Sequence, residues 1–228
     1  MGSSRDAFLS ACASITATLT PCGYKYAKSG PHASRTNGEF TYRISFQSSR
    51  GNVAGAYVAL WIHATVFSRR LQKWRASQPI ALYTGNFVAG GQIGNLLKEH
   101  TWRNWNVSDP VARKVAIDDA AAALRDIALP YFSRFDDIPS FCDVIQREDV
   151  PSMEIGRAID FLMCYADRDA ATNAMRRFLT ARPNLQPLYS ETLSEIRHKG
   201  PTGANSGGFV HKLALATFAY GLAPPASA

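Results

Sequence analysis

Phe8, Cys12, Ile15 and Leu19 recur at spacings of four, three and four, which lines one face of a helix that Pro21 and Gly23 end. A polar, turn-rich stretch follows, holding Ser29, Gly30, Pro31, Asn37 and Gly38. Phe40, Tyr42, Ile44 and Phe46 then alternate with polar neighbours, so all four share one side of a strand. Residues 48–55 read as a hairpin connection, and the apolar, β-rich run over 56–67 as a second, more buried strand. A third strand is expected over 80–88. The charged segment 68–75 between them reads as a helical turn or an exposed loop.

Gly90, Gly91 and Gly94 break the strand pattern, and Ile93, Leu96 and Leu97 predict a short helix. Ser108 or Asp109 as cap, with Pro110 in the first turn, starts an alanine-rich helix that runs to Ala128 and is bent or ended by Pro130. Another helix is expected over 138–146. From Pro151 the periodicity becomes that of back-to-back helices: Ile155, Ile159, Leu162 and Ala166 fit one face and Ala171, Met175, Phe178 and Arg182 the next, with Asp167 and Asp169 placed to cap between them. A third short helix is predicted through Leu188, Thr192, Leu193 and Ile196. Residues 200–208 read as a Gly/Pro linker, and the apolar segment 209–222 is expected to dock on the core rather than on a membrane.

Composition narrows the class. Hydrophobic residues make up 46%, charged residues 19% and aromatic residues 11% of 228, the balance of a folded chain long enough to bury a core without staples. No apolar run approaches the ~18 residues of a membrane span, and no signal-peptide pattern opens the chain. Cys12, Cys22, Cys142 and Cys164 show no CxxC spacing, so reduced, buried thiols and a cytoplasmic setting are expected. The net charge of +7 is uneven along the chain. Up to Asn106 there are twelve Lys/Arg and three Asp/Glu, a surplus of +9; beyond it there are thirteen and fifteen, a deficit of −2. A basic first half attracts an acidic protein surface or nucleic acid alike.

The first helix ends in Gly23-Tyr24-Lys25, an aromatic-Arg strand leads into Phe46-Gln47-Ser48-Ser49, and a hydrophobic strand follows. The series continues through the pair Trp102 and Trp105 and a helix ending Ala128-Leu129-Pro130-Tyr131-Phe132-Ser133-Arg134-Phe135-Asp136-Asp137-Ile138. Over about residues 6–149 this ordered set resembles a bacterial family known as domain of unknown function 4304. The resemblance implies an α+β domain and no established activity. By analogy with small bacterial accessory proteins, it points to an immunity factor of a toxin system as one form.

Candidate binding residues form two groups. Arg43, Ser45 and Gln47 form the polar row opposite Phe46, in a candidate surface that extends through Ser48 and Arg50, or Gln47 and Ser48 simply satisfy backbone groups at the strand end. Arg69, Arg70, Lys73 and Arg75 surround Trp74, and Arg103 sits between Trp102 and Trp105. Cations interleaved with aromatics suit phosphates and stacked bases, or the anchors of a protein interface, or a semi-buried core with a solvated rim.

Other chemistry finds little support. Gly90-Gly91-Gln92-Ile93-Gly94 lacks both dinucleotide and Walker spacing and reads as a plain turn. His32, His63, His100, His198 and His211 are scattered without metal-ligand spacing, and His63 reads as a hydrogen-bonded core residue. The adjacent pairs Asp118-Asp119 and Asp136-Asp137 point apart, so no catalytic residue, metal or cofactor is assigned. The expected architecture is α+β, a small antiparallel sheet covered by helices over residues 1–149, a helical hairpin over 150–199 and a linker with an apolar segment over 200–228. The expected function is non-enzymatic binding of an acidic protein, a toxin among the candidates, with nucleic acid as the runner-up and an enzyme with a site assembled from distant residues as the third class.

Overall fold

The computed structural model describes residues 3–201 and 208–225; most of the expected linker over 200–208 lies outside the described residues. The chain forms two compact units, one of residues 1–67 and 89–134, the other of 68–88 and 135–228. The six strands form an antiparallel sheet, and helices make up the C-terminal part, so the fold is α+β.

The first unit begins with α1 (Ser4–Ala17), started by a reciprocal cap in which the Asp6 amide donates to Ser3 Oγ and the Ser3 amide to Asp6 Oδ2, each 3.1 Å. Its apolar stripe is buried as its spacing predicts, Cys12 and Ile15 being fully enclosed together with Leu19 just beyond the helix. The sheet runs β1 (Lys25–Ala27), β2 (His32–Asn37), β3 (Phe40–Gln47), β4 (Ala59–Ser68) and β5 (Phe87–Gln92) in that order, with β6 (Trp105–Asn106) pairing on β4. On β3, Phe40, Tyr42, Ile44 and Phe46 are buried while Thr41, Arg43 and Ser45 are half-buried and Gln47 exposed. β4 alternates in the same way, with Leu60, Ile62, Ala64 and Val66 enclosed and Trp61, His63, Thr65 and Phe67 half-buried.

Three segments differ from the sequence reading. The turn-rich stretch is folded into β1 and β2, closed on β3 by a two-residue loop at Gly38-Glu39 between the paired Asn37 and Phe40. The third strand begins only at Phe87 and continues through the glycines expected to end it. A side chain at Gly90 would meet the Ala64 carbonyl oxygen at 2.2 Å, so glycine is what lets these backbones close. Segment 68–75 belongs to a helix, α2 (Arg69–Ser77), capped by Ser68 Oγ, which accepts from the Leu71 amide.

α3 (Pro110–Ala123) is capped by Asp109, whose carboxylate accepts from the Val111 and Ala112 amides. A π-helical turn over Leu124–Ala128 leads into α4 (Leu129–Ser133), which carries Pro130. Proline lacks the donor for the regular i→i−4 bond, and the wider turn accommodates that loss without ending the helix. Phe132 then packs on the inner face of the sheet, 5.1 Å from the Tyr42 ring.

The second unit holds α2 with α5 (Ile138–Arg147), α6 (Ile155–Tyr165), α7 (Arg168–Thr180), α8 (Gln186–Lys199) and α9 (Phe209–Tyr220). Aromatic rings join three of its segments: Phe135 to Phe141 at 4.5 Å, Phe141 to Phe161 at 5.5 Å and Phe161 to Tyr165 at 4.4 Å. Asp167 caps α7 through the Ala170 amide, while Asp169 lies exposed within its first turn. α9 docks on α8 and α6, burying Leu213, Ala214, Leu215 and Ala216. Among the described residues no helix is long and apolar enough to cross a membrane.

An ion pair lies at the centre of this unit. Arg75, 2% exposed, donates from Nε to Asp160 Oδ2 at 2.7 Å and from Nη1 to the carbonyls of Gly85 and Phe87. Asp160 is fully enclosed and accepts a further bond from the Tyr220 hydroxyl at 2.8 Å. Residues 80–86, expected as a strand, form an irregular loop, and the Gly85 carbonyl in it is held by Arg75.

Truncating Phe46 to alanine should cost about 3–5 kcal/mol, whereas Gln47→Ala should stay within about 0.5 kcal/mol, compared by urea denaturation. Arg75→Ala leaves Asp160 buried and uncompensated, so about 3–5 kcal/mol should be lost in the same assay, against a near-neutral Lys73→Ala.

The thiols separate as well, with Cys22 exposed rather than buried as expected. It sits in the tight turn Thr20–Cys22, where Pro21 holds the chain outside the helix. Burial raises the pKa of Cys12 to about 12 and that of Cys142 to about 11. A disulfide-exchange reagent should therefore label Cys22 rapidly in the native protein and Cys12, Cys142 and Cys164 only on unfolding, read as one fast equivalent against three slow ones.

Candidate functional site

The face of the sheet opposite its buried side chains is polar and aromatic. Register places Lys25, Ser34 and Arg43 across β1, β2 and β3 in one row, and Ala27, His32 and Ser45 in the next. β4 adds Trp61, His63, Thr65 and Phe67 at two-residue spacing. The Arg43 guanidinium lies over the Phe67 ring, 5.0 Å from its centroid, and Thr65 Oγ1 donates to the Arg43 carbonyl. Trp102, 55% exposed, meets Trp61 edge to face at 6.2 Å. No Asp or Glu occurs in any of the six strands, which carry Lys25, Arg35 and Arg43. Arg35 pairs with Tyr42 and belongs to the inner side, where its guanidinium lies over the Tyr42 and Tyr24 rings.

Two polar atoms on the outer face are enclosed without a hydrogen-bond partner, Arg43 Nε and His63 Nε2. Burial holds the His63 pKa below its ordinary value, so the ring is neutral at physiological pH. The expectation of a hydrogen-bonded core histidine is therefore corrected: His63 is half-buried on the outer row.

Of the sequence-predicted residues on the strand, Arg43 and exposed Gln47 sit on this face, and exposed Arg50 lies in the connection to β4. Ser48 does structural work: its hydroxyl donates to the Ala59 carbonyl and accepts from Asn52 Nδ2. Asn52 Oδ1 in turn accepts from the Ala59 amide, closing the connection.

The second group is divided between the units. Arg69, Arg70, Lys73, Trp74 and Arg75 fall in the second; Trp102, Arg103 and Trp105 fall in the first. Arg69, Arg70 and Lys73 are exposed on α2, with Arg70 donating to the Cys164 carbonyl and lying over the Tyr165 ring. Trp74 is half-buried, 5.4 Å from the Tyr220 ring. Arg75 is corrected outright, because a guanidinium bonded to Asp160 and two carbonyls has no surface to offer a partner. Trp105 is also corrected: it is 7% exposed and donates from its indole to Asp119, so no base can stack on it. Arg103 is half-buried, and its carbonyl accepts from the Gln92 side chain.

That last bond explains the glycine segment. Gln92 Oε1 accepts from the Gly94 amide while its amide nitrogen holds the Arg103 carbonyl, so the segment braces the loop that presents Trp102. The Gly94 amide is thereby used and not offered to a phosphate. Neighbouring acids diverge as expected: Asp118 pairs with Lys114 and Asp119 holds Trp105. Among the described residues no group of three or more His, Cys, Asp or Glu is placed to hold a metal ion.

Sequence reasoning missed Lys25, His32, Ser34, Trp61, His63 and Phe67 as members of one surface. The alternation in β4 was a usable signal for Trp61, His63 and Phe67. β1 and β2 gave none, because neither has an apolar face long enough to set a period. The charge split also changes meaning in three dimensions. The first unit carries twelve Lys/Arg and seven Asp/Glu, +5, and the second thirteen and eleven, +2, so both units are basic.

Comparison with known proteins yields a family and no characterised relative. No curated protein and no solved structure matches the chain. A family model, the domain of unknown function DUF4304, matches residues 15–134, from the first helix through the sheet to the end of α4. With more than half of its length matched, including every strand described above, the chain belongs to the DUF4304 family.

Proposed function

We propose that the first unit is a non-enzymatic binding module whose outer sheet face recognises an acidic protein surface. The observation that carries this reading is a sheet without a single carboxylate whose open side sets Lys25 and Arg43 among aromatic rings and neutral hydrogen-bonding groups. Such a face draws an acidic partner by long-range attraction and offers rings and spare donors on contact. Arg43 Nε and His63 Nε2 are enclosed and out of a partner's reach, so contact would fall on exposed Lys25, Gln47 and Trp102. In its most specific form the partner is a toxin and this protein its bacterial, cytoplasmic immunity factor.

A second reading, single-stranded nucleic acid, is favoured by one observation: Trp102 is a large exposed ring beside Arg103. It ranks second because Arg75 and Trp105 are internal and only two cations lie on the strands of the outer face, few for neutralising a phosphate chain.

Isotope-labelled protein titrated near physiological salt with an acidic polypeptide should show shifts concentrated at Lys25, Arg43, Gln47 and Trp102. The K25E/R43E variant should lose those shifts; Lys25 is exposed and its reversal costs little stability, whereas Arg43 is half-buried, so K25E alone decides should the double variant fail to fold. Single-stranded DNA should produce little change; tight, salt-steep DNA binding would put the nucleic-acid reading first. A neighbouring toxin gene whose product binds the parent but not K25E/R43E would establish the immunity form.

A further inference from the structure

Three cations surround one phenol ring in the second unit. The Arg157 guanidinium lies 4.2 Å from the Tyr83 ring centroid, the Lys212 ammonium 4.8 Å and the Arg75 guanidinium 5.4 Å. Two carboxylates answer them. Asp160 is committed to Arg75 and to the Tyr220 hydroxyl, and Glu154 accepts from the Tyr83 hydroxyl at 2.8 Å. One positive charge is left over.

The hydrogen-bond inventory shows the same excess. Arg75 is 2% exposed, yet its Nη2 is enclosed without a partner. Arg157 makes one long bond, 3.5 Å to the Phe87 carbonyl, and among the described residues neither it nor Lys212 has a carboxylate at ion-pair distance. A guanidinium presents five donors and an ammonium three, so most of the donors on Arg157 and Lys212 have no protein partner among the described residues. The amino end of α6, which starts at Ile155 beside Glu154, adds its positive dipole end. Its backbone comes so near that a side chain at Gly156 would lie 2.5 Å from the Tyr83 hydroxyl.

We propose that this cluster is a binding site for a carboxylate, held by the Arg157 fork and the Lys212 ammonium beside Tyr83. A single surplus charge and a planar fork match a singly charged, two-oxygen group. A phosphate monoester would bring two negative charges toward Glu154 and Asp160, which argues against it. The donor can be a small organic acid or an acidic side chain of another protein. Burial lowers the Arg157 pKa, and a bound anion would act in the opposite direction by favouring the charged guanidinium.

The test uses the full chain at constant ionic strength, with sodium acetate replacing chloride, inorganic phosphate in a parallel arm, and Tyr83 ring shifts and thermal midpoint as readouts. Acetate should shift both saturably, and Lys212→Gln should weaken its apparent affinity about tenfold, as should Arg157→Gln. Lys199→Gln, exposed and paired with Glu195 on α8, should leave it unchanged. Should Arg157→Gln fail to fold, Lys212→Gln decides alone. The proposal is overturned by a response no different from that to chloride, by unchanged acetate affinity in Lys212→Gln, or by phosphate binding more tightly than acetate. A glutamate-rich peptide that competes with acetate would identify the source as protein; competition by small dicarboxylates alone would identify a metabolite.

Discussion

A guanidinium that is 2% exposed must have its charge answered inside the protein, and the answer here comes from Asp160, 85 residues further along the chain. Segment 68–88 leaves the sheet, forms α2 and returns, while α6 and α9 belong to the C-terminal part. Arg75 joins these stretches by holding Asp160 on α6 and the carbonyls of Gly85 and Phe87, and Tyr220 on α9 closes the other carboxylate oxygen. Each partner satisfies a group that would otherwise be buried and unpaired, so the pair specifies this arrangement more than it adds stability. The membership of 68–88 in the second unit accords with this requirement, since α2 cannot leave α6 without stranding a charge.

The same requirement divides the labour between the units. The sheet unit solves its packing with apolar alternation and with glycine where β5 crosses close to Ala64, which leaves the outer side of its strands polar and uncommitted. The helical unit instead encloses one ion pair, Arg75 with Asp160, beside Glu154 and Tyr83. A sheet face without strand carboxylates and a cluster of cations around Tyr83 thus arise from opposite solutions to burial: one unit excludes carboxylates from its strands, the other encloses Asp160.

Side chains that look alike in sequence meet different fates for this reason. Arg70 and Arg75 are five residues apart on one helix, a spacing that puts them on different faces, and one lies exposed over Tyr165 while the other is internal. Trp102 and Trp105 are three apart in an extended segment, so the first stands in solvent and the second gives its indole to Asp119. Cations and aromatics interleaved in sequence are therefore a poor map of the surface.

What the sequence determined by itself was local. The stripe of α1, the cap and proline that start α3, the alternation of β3, the paired helices α6 and α7 and the family resemblance were all legible, because periods of 3.6 and 2 and capping chemistry depend on near neighbours. Arg43 and Gln47 were placed on the correct side of their strand by the same alternation. The tertiary structure alone decided that a polar stretch becomes β1 and β2, that the strand expected at 80 starts at 87, and that Arg75 and Trp105 turn inward while Cys22 stays outside. Three of these outcomes are set by a partner that local periodicity does not register: β3, across a two-residue loop, for β2, Asp160 for Arg75, and Asp119 on α3 for Trp105. Burial of a polar group depends on where its complement ends up in space, and no window of neighbouring residues contains that complement.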